Sequence, residues 1–180
     1  MSFRLPAQEP EDGTYMGTSR TINWAIRNRL LPGYPEGETG RVWNAILSKY
    51  FPDREGYATG PDMAKVTGRL ALLTSHIVDI TADRDYGLLV VECKAPGFET
   101  EDGVWREAVA QVESFLRRFA ASHQRRVFGA ISVGKAVKFY EWDRTSEQVR
   151  NVAGDNAMFY LDLHCQTVSD WLIYFRENHR

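Results

Sequence analysis

Glu92 and Lys94 stand two residues apart, directly after the apolar run Leu88-Leu89-Val90-Val91 and just before Pro96-Gly97. Four consecutive large apolar residues read as a strand covered on both faces, the kind found at the centre of a sheet. Side chains repeat with a period of two along a strand, so this carboxylate and this ammonium share a face. Ionisable groups at the end of a buried strand are costly unless they pair or bind something. Pairing alone would make a strand-end ion pair of little consequence; binding would make a site. A second carboxylate, Asp79, lies in the preceding run Ser75-His76-Ile77-Val78-Asp79-Ile80-Thr81, which also reads as a strand. Between the two runs, Asp83-Arg84-Asp85-Tyr86-Gly87 is rich in turn formers. Folding back about that turn is expected to bring Asp79 opposite the neighbourhood of Glu92. Two carboxylates at ~4 Å repel by roughly 4 kcal/mol at an effective dielectric of about 20. Lys94 offsets part of this, and a divalent cation would offset the rest.

The elements that must position these residues follow from hydrophobic period and end signals. Residues 1–17 are polar, with Pro6, Pro10 and Gly13, and read as a flexible N-terminal arm. Thr18 or Ser19 can cap a helix running to about Asn28, with Ile22, Ala25, Ile26 and Leu30 as its apolar stripe. Pro32-Gly33-Tyr34-Pro35-Glu36-Gly37 breaks it, and Thr39 is expected to cap a second helix over about 40–50. Residues 53–75 are the least legible, with a short strand expected at Tyr57-Ala58-Thr59. After the hairpin and an acidic loop at 97–103, a long helix is predicted over about 104–121. Val104, Ala108, Gln111, Phe115 and Phe119 share one face of it, which makes Gln111 the one polar residue in an apolar stripe. Strands are expected at 127–133 and 137–142, an edge strand at 159–163, and a final helix at 168–177 after a Thr167-x-x-Asp170 capping pattern. Residues 18–180 then form a single domain.

The chain has 180 residues, enough for a full core, and an ordinary globular composition of 43% hydrophobic and 26% charged residues. A net charge of −2 gives no global attraction to nucleic acid, so any phosphate contact must be local. Arg117, Arg118, Arg125 and Arg126 are the candidates, either meeting phosphates or complementing the end of the long helix. The two cysteines, one in the central strand, favour a reducing, intracellular setting, cytoplasmic or nuclear. No apolar run approaches a membrane span, and no signal-peptide pattern opens the chain.

Asp79…Glu92-Cys93-Lys94 resembles the active-site signature of the PD-(D/E)XK nuclease superfamily, the restriction-endonuclease-like fold. The resemblance covers about residues 40–142. It implies an α/β domain with an αβββαβ core, a mixed central sheet flanked by helices. It implies further that Asp79 and Glu92 hold one or two divalent cations, Mg²⁺ or Mn²⁺, while Lys94 positions or activates the attacking water. The main-chain carbonyl of Cys93 could add an oxygen ligand, and hard oxygen donors of this kind suit Mg²⁺. The dipeptide Pro61-Asp62 competes for the aspartate role; its surroundings read as loop, whereas Asp79, preceded by Val78, sits in a strand. Gln111 resembles the glutamine of a Gln-x-x-x-Tyr motif on the following helix, with Phe115 where the tyrosine would stand; a glutamine satisfied by backbone is the alternative. A glutamate in the first core helix, common in the family, is replaced by Asn44, with Glu36 and Glu38 ahead of it. The implied activity is metal-dependent hydrolysis of phosphodiester bonds in nucleic acid, DNA being the expected form. A nuclease-fold protein with weak or lost catalysis, acting as a binding, scaffold or effector module, is the alternative. Double-strand cutting by a single-site enzyme would call for a homodimer.

Overall fold

The computed structural model describes residues 7–61, 71–79, 84–122 and 125–179. In chain order the helices and strands are α1 (Tyr15–Thr18), α2 (Arg20–Arg29), α3 (Glu36–Tyr50), β1 (Tyr57–Pro61), β2 (Ala71–Asp79), β3 (Arg84–Lys94), α4 (Asp102–Ser122), β4 (Phe128–Val133), β5 (Ala136–Asp143), β6 (Gln148–Asn151), β7 (Phe159–Tyr160) and α5 (Cys165–Asn178). Spatial order in the sheet follows the chain, β1-β2-β3-β4-β5-β6, with β7 also pairing on β5. All pairings are antiparallel except β3 with β4, which are parallel. A parallel pair needs a long crossover, and α4 supplies it. The class is therefore α/β, with a mixed open sheet flanked by helices. From α3 to β4 the elements run helix, three strands, helix, strand.

Alternation along β3 divides the core in two. Leu89, Val91 and Cys93 enter a cluster with Ile26, Trp43, Ile46 and Phe175, from α2, α3 and α5. Val90 enters the opposite cluster with Ala108, Val112 and Leu116 of α4. Helix α4 can lie close to the sheet because residue 129 is glycine: a Cβ there would stand 2.5 Å from Cγ1 of Val112.

Several expected boundaries move. Helix α3 begins at Glu36 with Pro35 as N-cap and no side-chain cap; Pro35 ends the break and starts the helix. Thr39 is thus inside the helix, buried against β3. The described part of the expected N-terminal arm is docked. Tyr15 and Met16 are buried, the Tyr15 hydroxyl donates to the Leu161 carbonyl (2.8 Å), and the Glu9 amide donates to the Leu163 carbonyl (2.8 Å). Glu9 also accepts from the Thr167 amide (2.8 Å) and the Thr167 hydroxyl, which takes Thr167 away from capping and lets α5 start at Cys165. The expected edge strand at 159–163 shrinks to Phe159–Tyr160. Among the described residues, no helix is long and apolar enough to cross a membrane.

Candidate active site

The end of β3 is the centre of interest. Glu92 is fully buried and Lys94 is 8% exposed, both on the α4 side of the sheet with Val90. Their side chains meet, with Lys94 Nζ 3.0 Å from Glu92 Oε1. The same Nζ donates to Gln111 Oε1 of α4 (3.2 Å), and Gln111 Nε2 donates to Glu107 Oε1 one turn earlier (2.9 Å). Only this orientation of the amide satisfies both partners, since an ammonium cannot accept and a carboxylate cannot donate. A chain of four polar groups thus runs Glu92, Lys94, Gln111, Glu107 from the sheet to the helix. The stripe on α4 places Gln111 where the spacing indicated. Glu107 was missed; its signal was its position four residues before Gln111 on the same helix face.

The backbone around this pair is fixed. The Lys94 carbonyl accepts from Thr39 Oγ1 (2.9 Å) and from the Gly134 amide (3.2 Å), so it faces β4. Successive peptide groups of a strand point to opposite sides within the sheet. The Cys93 carbonyl therefore faces the β2 side, where the described pairing ends at Ala71 opposite Glu92. The Cys93 thiol lies on the other face, fully buried; burial, with Glu92 and Glu36 adding negative charge, pushes its pKa well above the ordinary value. It stays a neutral thiol, and only the carbonyl can serve as a ligand. Glu36 and Glu38, expected ahead of the helix, form its first turn; Glu38 pairs with Arg41 at 3.3 Å, and Asn44 points to solvent.

Asp79 is not part of this cluster. The hairpin pairs Asp79 with Arg84 and Glu92 with Ala71, eight residues apart along β2, roughly 26 Å at strand rise. The segment Asp83–Gly87 was expected as the turn, but Arg84, Asp85, Tyr86 and Gly87 belong to the ladder, with Asp79 paired at its far end. The expected repulsion between Asp79 and Glu92 therefore does not arise. The rival Asp62 lies outside the described residues.

The four arginines also fail to gather here. They stand at the far end of α4 and its exit; Arg126 precedes Ile131, the β4 partner of Glu92, by five residues, roughly 16 Å along the strand. Arg126 is committed to Glu141 (2.6 Å), which raises its already high pKa, Arg117 pairs with Glu113 (2.7 Å), and Arg125 lies 4.1 Å from the Tyr86 ring centroid. Arg118 packs over Phe115 and Phe119.

Among the described residues no three His, Cys, Asp or Glu side chains converge on one point. What the described residues offer a cation at the end of β3 is the Glu92 carboxylate and the Cys93 carbonyl. Mg²⁺ is commonly held by one or two carboxylates while keeping several waters, so this hard-oxygen set fits it. Compared with known proteins, the chain matches no family model, no curated protein and no solved structure.

Proposed function

We propose that the protein is a metal-dependent phosphodiesterase acting on nucleic acid, of the restriction-endonuclease-like type, with Glu92 and Lys94 at its active site. The observation that carries this reading is a fully buried carboxylate paired with a lysine at the carboxyl end of the central parallel strands. Such a pair is expensive to bury, and the carboxyl ends of parallel strands are where open α/β sheets bind their ligands. The order helix, three strands, helix, strand from α3 to β4 agrees with it.

In this reading Glu92 and the Cys93 carbonyl would hold Mg²⁺ or Mn²⁺. When bound, the ion stabilises charge on the scissile phosphate and acidifies water. Lys94, steadied by Gln111 Oε1, donates to the attacking water and orients it, a contribution typically worth ~10²–10⁴ in rate. Glu107 fixes the Gln111 amide. Double-strand cutting would use two copies, and the two free, buried cysteines accord with a reducing compartment.

A second reading has its own observation. The Lys94 ammonium sits 3.0 Å from Glu92 Oε1, where a metal would bind, so a nuclease fold with its catalysis lost could keep lysine in the metal's place as a binding or scaffold module. Metal titration separates the two. At a hundredfold excess over Kd a ligand of the native state adds about 2.7 kcal/mol, roughly 5–10 °C in Tm for a domain of this size. A rise of that order with Mn²⁺ at neutral pH supports the nuclease reading; an unmoved Tm supports the scaffold.

A further inference from the structure

Helix α4 and strands β5 and β6 border a cavity of about 700 Å³, within the size range of small-molecule sites. It lies on the α4 side of the sheet, away from Glu92 and Lys94. Lys138 pairs across the sheet with Ile131, and Ile131 with Glu92, so two strand spacings, roughly 10 Å, separate the Lys138 and Glu92 backbones. Trp105, Val109, Tyr140 and Val149 give the cavity apolar walls. The Trp105 indole is fixed by its N–H, which donates to the Glu99 carbonyl (2.9 Å). Two polar groups on the floor have no counterpart in the fold. Tyr140 is 7% exposed, yet among the described residues its hydroxyl makes no hydrogen bond, and burial pushes its pKa up to about 12. A buried hydroxyl is normally paired, because leaving it unpaired is costly. The half-buried Lys138 ammonium lies over the Trp105 ring, 4.7 Å from its centroid, and among the described residues no carboxylate pairs with it. At the exposed mouth stand Arg106, Asp102 and Asp155, while Arg150 is already paired with Glu141 (3.2 Å). The mouth thus carries two carboxylates against one unpaired guanidinium and does not draw in a polyanion; the cation that lacks a counter-charge is on the floor.

We propose that this cavity is a binding site for a small organic acid: its carboxylate or phosphate meets the Lys138 ammonium, its apolar body lies against Trp105 and Val109, and a second polar atom pairs with the Tyr140 hydroxyl. The site is separate from Glu92 and Lys94 and does not rest on the nuclease reading. An ammonium held over a ring keeps its N–H donors free for an anion. Apolar walls with a few placed polar groups are the usual composition of a ligand site. A hydroxyl left unpaired in the free protein costs stability, and a ligand that pairs with it recovers that cost.

The test is a proton–nitrogen NMR titration of the full chain in metal-free buffer with two probe acids, para-hydroxyphenylacetate and thymidine monophosphate. Their controls are tyramine, with an ammonium in place of the carboxylate, and thymidine, without the phosphate. At millimolar concentration at least one acid should shift the Trp105 indole N–H and the Lys138 and Tyr140 amides saturably, and neither control should. Which acid binds tells a carboxylate ligand from a phosphate one. Lys138→Met and Tyr140→Phe should each weaken that binding by roughly tenfold. Tyr140→Phe should also keep the wild-type Tm or exceed it, since it removes a hydroxyl that nothing in the fold satisfies. No saturable shift at this cavity with either acid, equal shifts from the controls, or wild-type affinity in either variant would overturn the site. A Tm of Tyr140→Phe well below wild type would overturn it too, by showing that the hydroxyl serves the fold. Each of these results leaves the nuclease reading standing.

Discussion

Breaking the Glu92–Lys94 pair from one side should cost far more than removing it whole. At 3.0 Å the pair attracts by roughly 5–6 kcal/mol at an effective dielectric of about 20, set against a desolvation penalty of several kcal/mol for each ion. The net contribution of the intact pair is then small. Glu92→Gln leaves the Lys94 ammonium enclosed with amide carbonyls in place of its counter-charge, and Lys94→Ala removes the ammonium 3.0 Å from a fully buried carboxylate. Each single change should lower stability by about 3–5 kcal/mol. The apolar double replacement Glu92→Leu with Lys94→Met should recover most of that loss, because it removes both charges from a site already walled by Val90, Ile131 and Val133. Urea unfolding followed by tryptophan fluorescence reads these differences as shifts in midpoint at constant slope. Single variants within 1 kcal/mol of wild type would show that water reaches the pair and that its burial is not the constraint described here.

The hairpin register predicts that Asp79→Ala leaves the Mn²⁺-induced rise in Tm intact; differential scanning fluorimetry decides, and loss of the rise in that variant would refute the assignment. Gly129→Ala should destabilise by about 1–3 kcal/mol, since a Cβ would meet the branched Val112 side chain at 2.5 Å, and it should weaken metal-dependent cleavage by lifting α4 and Gln111 from Lys94. Burial raises the thiol pKa of both Cys93 and Cys165. Both should therefore resist a thiol reagent at pH 8 until the protein unfolds, and rapid labelling of either in the native state would contradict the packing. The same raised values mean that these groups add stability below the ordinary thiol pKa of about 8.5 and lose it as pH rises through the folded values; unfolding midpoints should decline above about that pH.

Much of the site's frame was legible because it is local. Four apolar residues in a row announce β3 whatever surrounds them, a two-residue spacing puts Glu92 and Lys94 on one face, and a helical stripe turns Gln111 to the sheet. The hairpin was not legible in the same way. Its register shifts at Thr74/Ser75 and again at Ile77/Asp79, and the charged, turn-like residues Arg84 and Asp85 remain in the ladder, so no local rule locates Asp79 relative to Glu92. The docking of residues 8–17 depends on partners about 150 positions away, and the first turn of α3 depends on the contact of Thr39 with the end of β3. Glu107 joins the site through its bond with Gln111. Long-range contacts of this kind leave no periodic mark in the sequence.

The most direct test of the nuclease reading is single-turnover cleavage of a single-stranded oligonucleotide by wild-type protein and by Lys94→Ala, with Mg²⁺ or Mn²⁺ and with a chelator. The account predicts metal-dependent cutting by the wild type and a fall of ~10²–10⁴ in rate for Lys94→Ala, while that variant, once shown to be folded, still gains stability from Mn²⁺. Cleavage by Lys94→Ala near the wild-type rate, or a folded wild-type protein that binds neither metal nor nucleic acid, would contradict it.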